Sequence, residues 1–292
     1  NPVLMRSTNP TEVALLGWLS QATRGMSKMS DANKEYVKEE IGKALDRQFS
    51  GNKREAFRLR MSNIGKAYCQ LWYEKNKPEV AKPRSNHFIM RMVLGDIYEA
   101  VFKGVLKEIG IKFSDNERVE LVLEDGTIVN GELDIAIDDE VVDDIKTASN
   151  WSYVNKFDSV DELLKEDPFG YIGQLVGYAQ AKGAKVGGWW VSNTATGEVK
   201  YVSAEGVDVQ AVMKQLNETN TKLKANVFER GYEPVAESFR KELTGNLMLG
   251  VACGFCDFKY DCWKGKIQTL PSIPSKAKSP KEVDYVHIEE KE

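Results

Sequence analysis

Two carboxylates and a lysine stand at a spacing that suits phosphodiester hydrolysis: Gly131-Glu-Leu-Asp134 is followed by Asp144-Ile-Lys146. Asp144 and Lys146 are two residues apart on a predicted strand, so their side chains leave the same face, and Asp134 lies on the preceding strand of a hairpin. Carboxylate oxygens hold Mg²⁺ or Mn²⁺, and an ammonium group can orient the attacking water or offset charge on the phosphorane. The short D-x-K pattern is equally compatible with an acidic hairpin that carries a surface lysine.

Further residues favour a functional site over that alternative. Glu99 interrupts an otherwise apolar helical stripe, whose members are Phe88, Met92, Gly95, Phe102 and Leu106. A carboxylate on such a face is costly unless it is paired or binds a metal. Gln174 and Tyr178 are four residues apart on a predicted helix, so they share one face and can contact a phosphate or base or orient the lysine. Gly131 would tighten the hairpin or allow DNA to approach closely.

Three of the four cysteines form the cluster Cys253-x2-Cys256-x5-Cys262 near the C-terminal end of the sequence. A C-x2-C pair can chelate one metal centre, and the third cysteine follows after a short loop. This spacing suits a zinc site and an iron–sulfur cluster equally well. A redox pair is disfavoured because a third cysteine is present and a thioredoxin-like context is absent. Cys69 stands alone far upstream and, taken by itself, can be a buried free thiol.

The bulk composition permits one large domain or two small ones in 292 residues, of which 42% are hydrophobic. No apolar run reaches the roughly eighteen residues of a membrane span, so no membrane partner is expected. Residues 1–6 lack the basic-then-apolar pattern of a signal peptide. We therefore expect a cytoplasmic, reducing location, where disulfides are disfavoured.

The net charge of −4 is unevenly distributed. From Lys53 to Arg91 there are ten lysines and arginines against three glutamates, whereas Glu132 to Asp144 holds seven acids and no base. A basic stretch beside a concentrated acidic one fits a protein that follows phosphates and holds cations where it cuts. Solvated helix faces explain the basic stretch equally well.

Hydrophobic periodicity predicts an α/β fold with a mixed sheet flanked by helices. Helices are expected over 31–49 (capped by Ser30), 62–75, 86–109, 168–182 and 207–230, and strands over 119–123, 128–137, 141–147, 186–193 and 198–202. The expected organisation is a helical N-terminal extension over 1–60, a main unit over 61–265 and a mobile tail over 266–292, whose composition is typical of a linker.

The order of these motifs carries a family resemblance. Gly131-x-x-Asp134, Asp144-x-Lys146 and Gln174-x-x-x-Tyr178 resemble the successive motifs of the RecB-like branch of the PD-(D/E)XK nuclease superfamily. The helix Leu94-Gly-Asp-Ile-Tyr-Glu99 is similar to the first motif of that family, in which a glycine precedes the first metal-contacting residue by four. Many members have histidine at this position, whereas some exonuclease branches have glutamate, and His87 is out of register. The resemblance covers residues 61–264 and implies a restriction-endonuclease-like core.

The resemblance implies a role for each matched residue of the acidic site. Asp134 and Asp144 would bind Mg²⁺ or Mn²⁺, with Glu99 and the carbonyl of Ile145 as further ligands. Lys146 would assist the attacking water. Gln174 and Tyr178 would support catalysis or hold the DNA strand.

The cysteines extend the same resemblance. One cysteine before the nuclease motifs and three after them resembles the arrangement of the iron–sulfur RecB-like nucleases, which include the CRISPR-associated exonucleases and the nuclease domain of the AddB helicase subunit. Cys69, Cys253, Cys256 and Cys262 would then hold a 4Fe–4S cluster that pins the ends of the chain together, with zinc as the alternative occupant.

The function that this resemblance implies is a metal-dependent DNA exonuclease acting on single-stranded DNA or free ends. It would serve DNA recombination, repair or degradation of a phage type, or CRISPR adaptation. No G-x-x-x-x-G-K-[ST] motif occurs, so any unwinding requires a helicase or recombination partner. The alternatives are a catalytically weak DNA-end-binding iron–sulfur subunit and a structure-specific endonuclease, and the oligomeric state stays open.

Overall fold

The computed structural model describes residues 8–51 and 55–290, so residues 1–6, Lys53 and Arg54 of the patterns above lie outside the described residues. The helices are α1 Pro10–Ala22, α2 Asp31–Phe49, α3 Tyr68–Asn76, α4 His87–Glu108, α5 Val160–Lys165, α6 Tyr171–Lys182, α7 Val209–Ala225, α8 Val251–Gly254 and α9 Lys259–Cys262. The strands are β1 Phe113–Val122, β2 Ile128–Ile137, β3 Val141–Ala148, β4 Lys185–Asn193, β5 Val199–Ser203, β6 Val235–Phe239, β7 Glu242–Met248, β8 Gln268–Pro271 and β9 Glu282–His287.

Strands β1 to β5 form one sheet in the order β1-β2-β3-β4-β5. β3 and β4 run parallel, and α5 and α6 lie in the crossover between them, whereas the other neighbouring pairs are antiparallel. Asp138 and Asp139 both adopt positive φ in the tight turn between β2 and β3, a conformation that aspartate tolerates better than most residues. The predicted α/β fold with a mixed sheet is confirmed.

Helices cover both faces of this sheet. On one face, Leu175 of α6 and Leu216 of α7 join Leu133 of β2 in the larger of two hydrophobic cores. On the other face, Leu15 of α1 and Phe102 of α4 pack against inward-facing residues of β2, β3 and β4. The helical part of the predicted N-terminal extension thus contributes to the second core, and α2 packs along α4.

One local signal explains why α2 begins at Asp31, and another explains why α3 begins later than predicted. Ser30 caps α2 by accepting a hydrogen bond from the Asn33 amide at 3.3 Å, as its position before the helix predicts. The predicted start of α3 at Ser62 is wrong, since the helix begins at Tyr68. Asn63 instead holds a turn there, accepting from the Arg60 amide at 2.8 Å and donating to the Arg58 carbonyl at 3.1 Å.

A second sheet follows α7, with four antiparallel strands in the order β6-β7-β9-β8. Its last two strands fall within residues 266–292, so this segment is not the linker-like tail that its composition predicted. Buried polar groups hold this sheet together: the Glu237 carboxylate accepts hydrogen bonds from Asn246 at 2.7 Å, Thr244 at 2.8 Å and Tyr285 at 2.7 Å. The predicted helix over 207–230 also ends early, at Ala225.

Candidate active site and cysteine cavity

The acidic site lies where β2 and β3 part. Their backbone pairing includes Ile135 with Asp143 and does not continue to Asp134 and Asp144. Asp134 replaces the missing backbone partner, because its Oδ2 accepts a hydrogen bond from the Ile145 amide at 3.0 Å. The two predicted carboxylates therefore share a cleft between neighbouring strands.

Lys146 lies in the same cleft and connects it to α6. Its Nζ is 2.7 Å from Asp144 Oδ2 and donates to Gln174 Oε1 at 3.2 Å. The ammonium also lies 5.2 Å from the centre of the Tyr171 ring, a cation–π distance. Burial by itself lowers the pKa of Lys146, but Asp144 and Asp134 outweigh it and hold the pKa above its ordinary value. The lysine is thus a cation and a hydrogen-bond donor, not a base.

Glu99 reaches the cleft from α4, which crosses β3. Gly95, one turn earlier, faces β3, and a Cβ there would lie at an ordinary contact distance of 3.4 Å from Thr147 Oγ1. Burial, followed by repulsion from Asp134, raises the pKa of Glu99 to about 7. Glu99 also pairs with Lys103 at 2.7 Å, and the Lys103 side chain is 1% exposed. Sequence reasoning missed Lys103, although its i,i+4 spacing from Glu99 was a readable signal.

Tyr178 is buried one turn after Gln174 on α6. Burial, with the nearby charges of Asp134 and Asp144, raises the pKa of Tyr178 well above its ordinary value, so the hydroxyl stays protonated. Gly131 lies against this residue: a Cβ there would be 2.8 Å from Tyr178 Cε1 and 2.4 Å from Met61 Cβ. Close packing, rather than an approach of DNA, therefore accounts for this glycine.

Asp143 belongs to the same acidic run but faces away from the cleft. Its carboxylate accepts hydrogen bonds from the Gly188 amide at 2.9 Å, Trp190 Nε1 at 3.0 Å and the Tyr201 hydroxyl at 2.8 Å. It is 3% exposed. These bonds give it a structural role in joining β3 to β4 and β5, which the count of acids along the sequence did not separate from the functional ones.

The carboxylates fit a hard divalent cation by donor type and by electrostatics. Asp144 is buried, and its Oδ2 has the Lys146 ammonium at 2.7 Å as an ion-pair partner. Burial, opposed by Lys146 and reinforced by Asp134, raises the pKa of Asp144 well above its ordinary value. A cation relieves such crowding of buried carboxylates. Over residues 8–51 and 55–290, however, no three His, Cys, Asp or Glu side chains are arranged to hold one metal ion.

The four cysteines line a single cavity at the start of α3. Cys69 comes from that helix, and Cys253, Cys256 and Cys262 come from α8, α9 and the turn between them. None of the four forms a disulfide. The cavity measures about 30 Å³, more than the roughly 10–15 Å³ that one water requires. The distant Cys69 thus lines the same cavity as the other three cysteines.

The surroundings of the cavity suit a bound inorganic group. Phe258 and Trp263 form apolar walls, both at 4% exposure. Burial raises the pKa of Cys253 to about 11 and that of Cys256 to about 12, so these thiols are protonated until a metal displaces the protons. Arg230 Nε is buried without a hydrogen-bond acceptor in the described chain, and the Trp263 indole lies beside Cys253. The four thiols match the donor chemistry of a metal–sulfur group, although within the described residues no three of them are arranged to hold one metal ion.

Part of the basic stretch is neutralised by ion pairs where the structure describes it. Arg58 and Arg60 both reach Glu55, and Lys66 pairs with Glu74 at 2.9 Å. A line of unpaired cations leading to the cleft is therefore not formed by these three residues.

Comparisons with known proteins give little guidance. No protein-family model matches the sequence, and no curated protein matches it. Among solved structures, the crystal structure of SSO0001 is similar, with a TM-score of 0.39 and 18% identity over 64% of this chain and 85% of that chain. This similarity is too distant to assign an activity. No helix of the described residues is both long enough and apolar enough to cross a membrane.

Proposed function

We propose that this chain is a divalent-metal-dependent deoxyribonuclease of the RecB-like kind, acting as an exonuclease, with a four-cysteine 4Fe–4S cluster. The observation that carries the proposal is the convergence of Asp134, Asp144, Lys146 and Gln174 in one cleft, with Glu99 beside them. Carboxylates that repel one another around a partly buried lysine suit a site that gathers cations against phosphate.

Asp134, Asp144, Glu99 and the carbonyl of Ile145 would hold Mg²⁺ or Mn²⁺. When bound, the cation supplies Lewis-acid polarisation of the phosphoryl group and a more acidic water. In hydrolysis a water oxygen bonds to phosphorus, one P–O bond of the backbone breaks, and the departing sugar oxygen takes up a proton.

The residues of the chain itself contribute position and charge. Lys146 is held protonated, so it donates to the attacking water or to a phosphoryl oxygen and offsets the developing negative charge. Gln174 accepts a hydrogen bond from Lys146 and fixes its direction. Tyr178 keeps its hydroxyl proton and can donate to the strand.

The cysteines would hold the cluster in a structural role. Cys69 precedes the nuclease residues and the other three follow them, so a group bound by all four closes a very long loop of chain. Anaerobically purified protein should be brown and contain iron and acid-labile sulfide. Colourless protein with one zinc per chain would show that zinc, and not an iron–sulfur cluster, occupies the four-cysteine site.

The enzymatic proposal is tested with end-labelled linear DNA and circular DNA, each single- and double-stranded, with Mg²⁺, with Mn²⁺ and with EDTA. We expect metal-dependent loss of linear substrates and survival of circles. Cutting of circles would indicate the structure-specific endonuclease instead. If the protein binds DNA ends but degrades DNA under none of these conditions, it is the end-binding subunit and not a nuclease.

A further inference from the structure

An aromatic ladder leads outward from the cleft: Tyr171, Phe169 and Phe255. Tyr171 lies beneath the ammonium of Lys146 and stacks on the buried Phe157 at 5.5 Å between ring centres. The ring of Phe169 follows at 5.7 Å, and that of Phe255, from the cysteine segment, at a further 6.1 Å. The ladder therefore connects the catalytic lysine to the protein surface beside the cysteines.

The outer two rings are open to solvent. Phe169 is 46% exposed and Phe255 is 62% exposed. Large exposed aromatic side chains that are adjacent to one another usually mark a surface that binds something. The neighbouring acids have partners within the protein: the Asp167 carboxylate accepts hydrogen bonds from the amides of Tyr171 and Ile172, at 3.0 and 2.8 Å, and Glu166 pairs with Lys156 at 3.5 Å.

The backbone that carries these rings is held in place before any ligand arrives. Gly170 has φ 74° and lies against Gly65 so closely that a Cβ would be 2.2 Å from the Gly65 carbonyl carbon. Glu166 accepts a hydrogen bond from the Ala252 amide at 3.3 Å, which fastens the start of α8 to the segment preceding Phe169. The two exposed rings thus come from distant parts of the sequence and are brought together by specific contacts.

We propose that Phe169 and Phe255 form a stacking platform for unpaired bases of a single-stranded DNA end whose backbone enters the cleft at Lys146. This inference rests on the proposed nuclease function and locates the surface that binds the unpaired bases of its substrate. Every base offers a flat π face, so stacking on exposed rings is tolerant of sequence. Paired bases in an intact duplex expose no such face, which makes the platform selective for unwound ends. Continuity of the ladder with the catalytic lysine favours DNA bases over a protein partner as the occupant.

The test measures binding of a single-stranded oligonucleotide that contains 2-aminopurine, with Ca²⁺ in place of Mg²⁺ to prevent cleavage. We expect Phe169→Ala and Phe255→Ala each to weaken binding about five- to tenfold, the lower end of the effect of losing one base–aromatic stack. They should also reverse the quenching of 2-aminopurine, while affinity for a blunt duplex and the iron content stay unchanged. Phe255→Tyr should retain binding, whereas Phe255→Leu, which keeps apolar area but no ring, should lose it.

Tyr260 provides the matched control, because it is an aromatic residue of the same cysteine segment and is 46% exposed. Tyr260→Ala should leave binding unchanged. Equal weakening by Tyr260→Ala, full binding by Phe255→Leu, or conversion of a dimer to a monomer by Phe255→Ala would each overturn the platform. If the parent cleaves DNA but these variants bind normally, the platform alone is wrong. If the parent neither binds nor cleaves DNA, the nuclease proposal fails with it.

Discussion

The cleft and the cysteine cavity both bring a few reactive side chains together, but they do so in opposite ways. The cleft collects charges from elements that follow one another closely in the fold, α4, β2, β3 and α6, and its lysine already offsets its carboxylates. The cavity collects four cysteines from two distant stretches of the chain and surrounds them with aromatic walls. We therefore expect the cleft to keep its fold when it loses a residue, whereas the proposed occupant of the cavity would join distant segments of the chain.

The largest expected effect comes from breaking the cavity. Cys69→Ser should lower the free energy of unfolding of the cluster-loaded protein by on the order of 5 kcal/mol, because the binding energy of a structural metal centre is also folding energy. Thermal denaturation and iron analysis under anaerobic conditions measure this. The same comparison on protein stripped of metal is the control, where the difference should disappear. An equal loss in both forms would make Cys69 an ordinary core thiol.

The opposite result is expected in the cleft. Asp144→Asn should reduce the rate of DNA hydrolysis about a thousandfold or more, since a metal ligand contributes several kcal/mol to the transition state. The melting temperature should hold or rise, because the substitution removes a carboxylate whose charge is penalised by burial. Turnover of labelled DNA measures the loss of activity, and calorimetry measures the melting temperature. Retained activity would remove the cleft from the mechanism.

The sequence predicts a feature of these two regions well when the pattern that specifies it spans only a few residues. The alternation along β3 placed Asp144 and Lys146 together, and a helical period placed Gln174 with Tyr178, because both patterns span a few residues. The second sheet escaped prediction since its first hairpin turns through Arg240 and Lys241, which adopt positive φ in place of the usual Asn-Gly. Buried Glu237 also hides the apolar alternation of β6.

The same limit applies within the candidate site. The alternation along β3 implies that Asp143 faces away from Asp144, but it does not show that the Asp143 carboxylate accepts a hydrogen bond from Trp190, which lies on another strand. Nor does it show that Phe169 meets Phe255, since that contact depends on the tertiary placement of two distant segments. Pairings between distant segments follow from the closed fold and not from local pattern.

The third prediction tests whether the second sheet supports the cavity. Lys259 lines the cavity and pairs with Asp284 of β9 at 2.7 Å, with both side chains at most 10% exposed. Lys259→Met should cost about 3 kcal/mol, because it leaves a buried carboxylate without its cation, and it should reduce cluster occupancy. The matched control is Lys77→Met, which removes an exposed pair with Asp261 at 3.4 Å and should cost less than about 1 kcal/mol. If the two variants lower stability and cluster occupancy equally, the second sheet does not support the cavity.

The smallest effect is expected at Gly131, where the cleft meets the hydrophobic core. Gly131→Ala forces a methyl group to within 2.4 Å of Met61 Cβ, a carbon that cannot move without its backbone. We expect a loss of about 1–3 kcal/mol from overpacking, together with a drop in activity as the Tyr178 ring is displaced. Gly42→Ala on α2 is the control: nothing lies within 4 Å of its added Cβ, so helix propensity should make it neutral or slightly stabilising. Chemical denaturation measures both. If Gly131→Ala is stable and fully active, Met61 and Tyr178 do not fix the wall of the cleft.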